Sequence, residues 1–229
     1  MTRSCGGFVE MAAGWLGALV PAIAALSILA CPARAAEGEA PVTVSLPVQR
    51  DATLYEDASG QLANGAGNQM IAGRNGDGEL RRAVLWFDVA DAVPAGAVVT
   101  EAELELYLTN SLAAANIFTL HRCLTHWSEG PSEPSGDADD GAQAETGDVT
   151  WTYSVYDTAA WDNNGGDYAS AVSAYESLTT GGFYTWSGPV LLDDVQAMAD
   201  RTVEDHGWVL RGDEAQPWTF RRFATKENP

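Results

Sequence analysis

The sequence holds little of what makes a small domain a disulfide scaffold or a metal enzyme. It has three cysteines. Cys5 and Cys31 fall in the N-terminal apolar region, so only Cys123 is left beyond it. A domain with one cysteine closes no internal disulfide, and Cys123 is expected to be buried and inert. Histidine is as scarce: three residues, none at the spacing of a helical zinc site. No G-x-S-x-G turn occurs, which removes the usual sequence mark of a serine hydrolase. Basic residues are few, 12 against 32 acids for a net charge of −20. Such a surface repels nucleic acid and anionic lipid, and an acidic or salty habitat accounts for it as well as a cationic ligand does. Heptads, internal repeats and alternating βαβ units are also missing.

What is there begins with an apolar run. Between Glu10 and Arg34 no charge occurs, and Met11 to Ala33 is rich in Ala, Leu, Ile and Val. The run ends in Ala33-Arg34-Ala35-Ala36. Small residues two apart after an apolar stretch mark a secretory signal peptide, which predicts cleavage after Ala35, with Ala36 as the alternative. An uncleaved membrane anchor fits the length of the run, but Pro21 stands in its middle. A lipid-modified Cys31 is a further alternative, disfavoured by the bulky Leu29 and by Pro32. A start at Met11 would leave no basic n-region. A membrane partner is expected only if the segment is retained or lipidated. Without residues 1–35 the net charge is −21, from ten basic and 31 acidic residues. The remaining 194 residues suffice for one domain with a full core.

Residues 36–47 read as a polar leader and a first strand over Val42–Leu46. Short strands follow at 52–55 and 69–73. Residues 82–88 form a strand apolar on both faces. Thr100–Leu108 alternates strictly, Ala102, Leu104, Leu106 and Leu108 against Glu101, Glu103 and Glu105, which predicts one face on the core and one in water. Further strands are expected at 117–124, 149–153, 207–211 and 218–223. The acidic stretch 130–148 reads as a long loop or a disordered insert. A short helix capped by Asp193 or Asp194 would carry Val195, Met198 and Ala199 at helical spacing. Many short strands and frequent turns predict an all-β fold, an antiparallel jelly-roll β-sandwich with one short helix.

The run Arg81-Arg-Ala-Val-Leu-Trp-Phe-Asp88, the turn Pro94-Ala-Gly96, the strand Val99–Tyr107, His121–Gly130, Val149-Thr-Trp151, Trp161 with Gly165-Gly-Asp167, His206–Leu210 and Phe223–Asn228 together resemble the DNRLRE domain. That group is related to disaggregatase-type repeats and to an alginate-binding carbohydrate-binding module. The resemblance spans nearly all of residues 48–229. It implies a secreted jelly-roll sandwich, often an accessory module beside polysaccharide-degrading or cell-surface domains. Two departures stand out. The acidic loop is longer than the family pattern, and the chain stops at Asn228-Pro229, where the family runs on to a final strand. Either that strand is missing or the sequence is truncated, and a sandwich short of the strand would expose a sheet edge.

The residues offer three kinds of chemistry. Aromatic faces stack on the C–H face of a sugar ring, and Trp161, Tyr184, Trp186 and Trp218 are the candidates for exposure, while Trp86, Trp127, Trp151 and Trp208 are expected to be mostly core. Basic partners for an anionic polysaccharide would come from Arg82 and Arg221, if their pairing with carboxylates leaves them free. Asp162, Asn164 and Asp167 stand in a glycine-containing loop that can supply several of the six to eight oxygens calcium takes, or simply form an Asx turn. No catalytic set emerges: with so many acids, any glycosidase pair chosen from sequence would be arbitrary. The expected function is a secreted, non-catalytic polysaccharide-binding module with calcium as a candidate structural ion. A structural or adhesive envelope protein is the alternative, and a small polysaccharide lyase or hydrolase the second. The oligomeric state is not readable.

Overall fold

A computed structural model describes residues 24–31, 41–94, 96–110, 114–136 and 138–228. In chain order the strands are β1 (Ala24–Cys31), β2 (Val42–Pro47), β3 (Arg50–Tyr55), β4 (Leu62–Ala63), β5 (Gln69–Arg74) and β6 (Leu80–Trp86). After helix α1 (Val89–Ala92) come β7 (Val98–Asn110), β8 (Asn116–Arg122), β9 (Ala142–Gln143), β10 (Tyr153–Val155), β11 (Ala159–Ala160), β12 (Ala174–Leu178) and β13 (Gly182–Ser187). Helix α2 (Pro189–Ala199), β14 (Trp208–Arg211) and β15 (Arg221–Ala224) complete the set.

Eleven strands form one hydrogen-bonded network, every pairing antiparallel. It bends at β5, which pairs with β6 on one side and β15 on the other. One layer is β3, β6, β14, β8 and β12; the other is β15, β7, β13, β1 and β2. The fold is an antiparallel β-sandwich. Its core lies between the layers and holds Leu85, Phe87, Leu104, Leu106, Phe118, Trp186, Trp208 and Phe223. The alternation of β7 does what its period of two requires: Ala102, Leu104, Leu106 and Leu108 are buried inside, and Glu101, Glu103 and Glu105 face out.

A second apolar cluster lies on the outer face of the β3–β6–β14–β8 layer. Ala52, Leu54, Val84 and Val209 meet Trp127, Val149, Trp151 and Trp161 there. This is why β6 is apolar on both faces. It is also why the acidic stretch 130–148 is folded rather than a solvated insert. Asp148, fully buried, accepts from the Ser132 N–H (3.1 Å), the Ser132 hydroxyl and the Glu145 N–H (2.6 Å). The carbonyl of Ser132 takes the N–H groups of Gly65 and Ala66, and β9 pairs with β4. A few short polar anchors hold the loop where hydrophobic periodicity gives no sign of order.

Three expectations about elements are corrected. There are two helices, not one: the four-residue α1 starts where the Asp88 side chain accepts from the Asp91 N–H. Helix α2 starts at Pro189, not at Asp193 or Asp194, because proline is suited to the first helical position. Asp194 instead takes the Arg122 guanidinium (3.1 Å) and the Ser173 hydroxyl (2.6 Å). The last strand begins at Arg221, because Trp218 stands at φ +63° and cannot extend a strand.

The N-terminal segment differs most from expectation. The cleavage site at Ala35 lies outside the described residues, as does most of the apolar run. Ala24–Cys31, from the apolar run itself, is a strand between β7 and β2, with Leu26 and Ile28 fully buried. Alternating aliphatic residues serve a half-buried strand as readily as a signal helix.

Candidate ligand-binding site

The site is built where two loops meet at one end of the sandwich. The β5–β6 hairpin closes through Asn75. Its side-chain oxygen accepts from the Glu79 N–H (2.8 Å), its amide donates to Glu79 Oε2 (3.0 Å), and its carbonyl accepts from the Gly78 N–H (3.3 Å). The segment leading into β15 docks on this hairpin. The Arg74 carbonyl accepts from the N–H groups of Thr219 (3.0 Å) and Phe220 (3.2 Å), and the Trp218 N–H donates to the Asn75 carbonyl (3.4 Å).

These bonds hold Trp218 in the left-handed region at φ +63°. A non-glycine residue there is uncommon, and the cost is met by the surrounding contacts. The indole lies against Gly76. A Cβ at that position would stand 2.2 Å from Trp218 Cζ2, so only glycine leaves room for the ring. One face of the indole is packed on backbone, yet the residue is 62% exposed. An indole held on one side and open on the other is a platform for a flat apolar surface.

Beside it is a cavity of about 190 Å³, lined by Trp218, Phe220, Asn75, Asp77, Arg81, Asp139 and Asp140 among others. Arg81, which lines it, and Arg222, which pairs with its lining residue Asp139, are already engaged. Arg81 is 4% exposed, donates to Glu79 Oε2 (2.9 Å), and lies 4.9 Å from the Tyr55 ring centre. Arg222 makes a two-pronged bond to Asp139, with Nε to Oδ1 at 3.0 Å and Nη2 to Oδ2 at 2.5 Å. Asp77 and Asp140 are exposed and bring uncompensated negative charge to the rim. The cavity therefore offers oxygen acceptors beside an aromatic face and disfavours an anion.

Of the six residues expected to bind ligand, the structure exposes one plainly, Trp218. Trp161 is buried in the outer cluster with its N–H on the Thr150 carbonyl (2.9 Å). Trp186 is fully buried in the main core with its N–H on the Phe118 carbonyl (3.0 Å). Both corrections have one reason: each indole N–H has a backbone acceptor inside, so burial leaves no polar group stranded. Tyr184 is half-buried, and its hydroxyl ties the 179–180 turn. Arg221 has no exposed surface and donates to the carbonyls of Thr219, Phe220 and Ala114. Arg82 is 8% exposed and held by Glu214, by the Gly165 carbonyl (2.8 Å) and over the Trp151 ring. Neither arginine is free for a polysaccharide, because both are spent inside the fold.

The 162–167 loop does meet Arg82, through Gly165, but as structure. Asp167 Oδ1 accepts from the backbone and side-chain N–H groups of Asn163 (2.8 and 3.0 Å). Its Oδ2 accepts from the Asp162 N–H (2.9 Å) and the Thr125 hydroxyl (3.2 Å). Burial would raise the Asp167 pKa, and these bonds outweigh it and lower it. Asp162 and Asn164 point to solvent. The one buried carboxylate of the loop thus accepts four bonds from within the chain, the partners of an Asx turn. Among the described residues no group of three His, Cys, Asp or Glu is placed to hold a metal.

The residues that sequence reading passed over are Asn75, Asp77, Asp139, Asp140 and Phe220. The only signal was the Arg74–Gly78 turn and the acidity of the 130–148 loop, neither of which says that the two meet. Substitution Gly76→Ala tests the platform directly. The added methyl is expected to displace the exposed indole while leaving stability within about 0.5 kcal/mol, the range of surface changes. The change would be read as altered tryptophan fluorescence at an unchanged melting temperature.

No family model matches the chain, and no match was found among curated proteins or solved structures.

Proposed function

We propose that the protein is an exported, non-catalytic carbohydrate-binding module whose contact point is Trp218, and that it prefers neutral over anionic polysaccharide. The observation that carries this reading is the Trp218 indole packed on Gly76 and open on its other face. The resemblance to the DNRLRE domain supports it, and so does the signal-like N-terminus. Asn75, Asp77 and Asp140 supply hydroxyl partners beside the ring. The preference for neutral sugars follows from the acidic rim and from the engagement of Arg81 and Arg222 by Glu79 and Asp139. Calcium at the 162–167 loop would have to break the bonds to Asp167, so binding is not routed through a metal.

Affinity electrophoresis on gels containing neutral or acidic polysaccharides tests this. Retardation is expected on at least one neutral polysaccharide, unchanged by chelator and reduced several-fold by Trp218→Ala, since an aromatic stacking contact contributes about 0.5–1.5 kcal/mol beyond its area burial. Retardation that survives Trp218→Ala, or that occurs only on acidic polysaccharide, would overturn the reading.

A lyase built on His121 finds less support. His121 is 5% exposed, and both its ring nitrogens already have partners, the Ala169 carbonyl and the Thr119 hydroxyl.

A further inference from the structure

Strand β1 occupies a slot that its own sequence only half fits. On the inner side the match is good. Ala24, Leu26, Ile28 and Ala30 stand opposite Leu106, Leu104, Ala102 and Val99 of β7, all in the main core. On its other edge β1 pairs with β2 over Ala25–Ala30, and this is the pairing that ties β2 into the sheet. On the outer side the match is poor. Ala25, Ser27 and Leu29 stand opposite Glu105, Glu103 and Glu101. The other neighbour of β7 offers them only Thr185 and Ser187. Three carboxylates in a row therefore face no basic residue across either neighbouring strand. Opposite charges set directly across a sheet attract, so this row leaves an attraction unused.

We propose that the groove along the edge of β7, where β1 now lies, is a strand-acceptor site for another protein chain. The segment it takes is extended and antiparallel to β7, with aliphatic side chains at alternate inward positions and lysine or arginine at the outward positions facing Glu101, Glu103 and Glu105. Ala24–Cys31 holds the groove in the unprocessed chain. Removal of residues 1–35 on export opens it, leaving the edge of β7 unpaired over 98–106 and a cleft where Leu26 and Ile28 were. An open edge above an apolar cleft pairs with whatever strand fits it. The inference rests on the export reading and is independent of sugar binding at Trp218, which lies at the end of the other loops.

The experiment begins with the intact mass of the full chain exported by a bacterial host, compared with the precursor retained in the cytoplasm. Fluorescein-labelled peptides are then titrated into both forms. One carries the Ala24–Cys31 sequence with serine in place of its cysteine. A second adds lysine at its three outward positions (Ala25→Lys, Ser27→Lys, Leu29→Lys), and a third carries Leu26→Asp and Ile28→Asp. The expected result is one-to-one binding to the exported form alone. Affinity should rise with the three lysines, by an amount that falls with added salt, and should drop at least about thirtyfold with the inward aspartates, the loss expected for one buried aliphatic contact. If the exported form is unfolded, recovery of its β-sheet circular dichroism on adding the lysine peptide is the same positive result. The proposal is overturned if the exported protein keeps residues 24–31. It is also overturned if the inward aspartates bind as well as the parent or the lysines bring no gain. Self-association of the exported form that excludes the peptides would overturn it too, since a second copy would then be the occupant. Loss of sugar binding in Trp218→Ala with peptide binding intact would separate the two proposals.

Discussion

Glu214→Ala is expected to destabilise the protein by about 3 kcal/mol at pH 7, because it leaves two arginines with no carboxylate in a largely buried place. Glu214 Oε1 accepts from Arg82 Nε (2.7 Å) and Arg211 Nε (3.1 Å), and Oε2 from Arg82 Nη2 (3.1 Å) and Arg211 Nη2 (2.5 Å). The Arg82 side chain is only 9% exposed and that of Glu214 15%. Both guanidinium groups lie over the Tyr168 ring, and Arg82 also over Trp151. Burial alone would raise the Glu214 pKa, but the bonds and charges of Arg211 and Arg82 outweigh it and bring it down to about 2. A carboxyl whose folded pKa lies below its unfolded value stabilises the fold above the unfolded value and loses that contribution as pH falls. The window here runs from about pH 4.5 down to about pH 2. Its size is about 2 kcal/mol once screening by nearby water is allowed for. Glu214→Gln should therefore flatten the acid limb of the stability curve over that window. Urea unfolding of the wild type, Glu214→Ala and Glu214→Gln at pH 7 and pH 3 checks both statements. A loss under 0.5 kcal/mol for Glu214→Ala at pH 7, the size of an ordinary surface change, would show that the arginines do not depend on it.

This network shows where sequence reading reached its limit. The period of two in Glu101–Leu108 was legible because it is local: each residue's face is fixed by its neighbours two positions away. The double-sided apolar run at 82–85 was legible for the same reason. Arg82 was not, because its environment is assembled from residues 83 and 132 positions away, Gly165 and Glu214. The sequence left Arg82 and Arg221 open to an anionic ligand or to pairing within the fold, and topology places them on carboxylates and carbonyls. Trp218 and Trp186 carry the same side chain, and nothing local separates them. One is exposed because its backbone turns left-handed over Gly76, and the other is buried because its strand faces the core. The second apolar layer was hidden too: Trp127 and Trp161 come from irregular segments, and the strand expected over 149–153 is irregular until β10 begins at Tyr153. The use of Ala24–Cys31 as a strand was concealed by a stronger local pattern, an apolar run closed by small residues that reads as an export signal.

Asp51→Asn is expected to raise stability at pH 8 by about 4 kcal/mol and to leave it unchanged near pH 4. Asp51 lies on β3 and is 1% exposed. Its Oδ2 accepts from the Lys226 N–H at 3.0 Å, and its Oδ1 finds no hydrogen-bond partner among the described residues. Burial pushes its pKa up to about 7. The bond from the Lys226 N–H and the Lys226 charge oppose this, and the carboxylates of Glu227 and Glu129 add to it. A folded pKa above the unfolded one means that the native state holds the proton more tightly. The contribution of Asp51 is therefore fully present below about pH 4, is lost as pH rises toward 7, and stays lost above. Asparagine keeps the acceptor for the Lys226 N–H and never ionises, so it escapes the loss. The slope from Asp51 is opposite in sign to that from Glu214, and together they set a stability maximum near pH 4–5, where Glu214 is still ionised and Asp51 still protonated. The net charge of −20 steepens the decline on the alkaline side by self-repulsion. Melting temperatures of wild type and Asp51→Asn from pH 3 to pH 9 should run together below pH 4, separate between pH 4 and 7, and stay a constant distance apart above. Curves that remain parallel across the whole range would mean that Asp51 does not titrate in the folded protein, and the anchoring of residues 225–228 on β3 would then have to be explained without a buried proton.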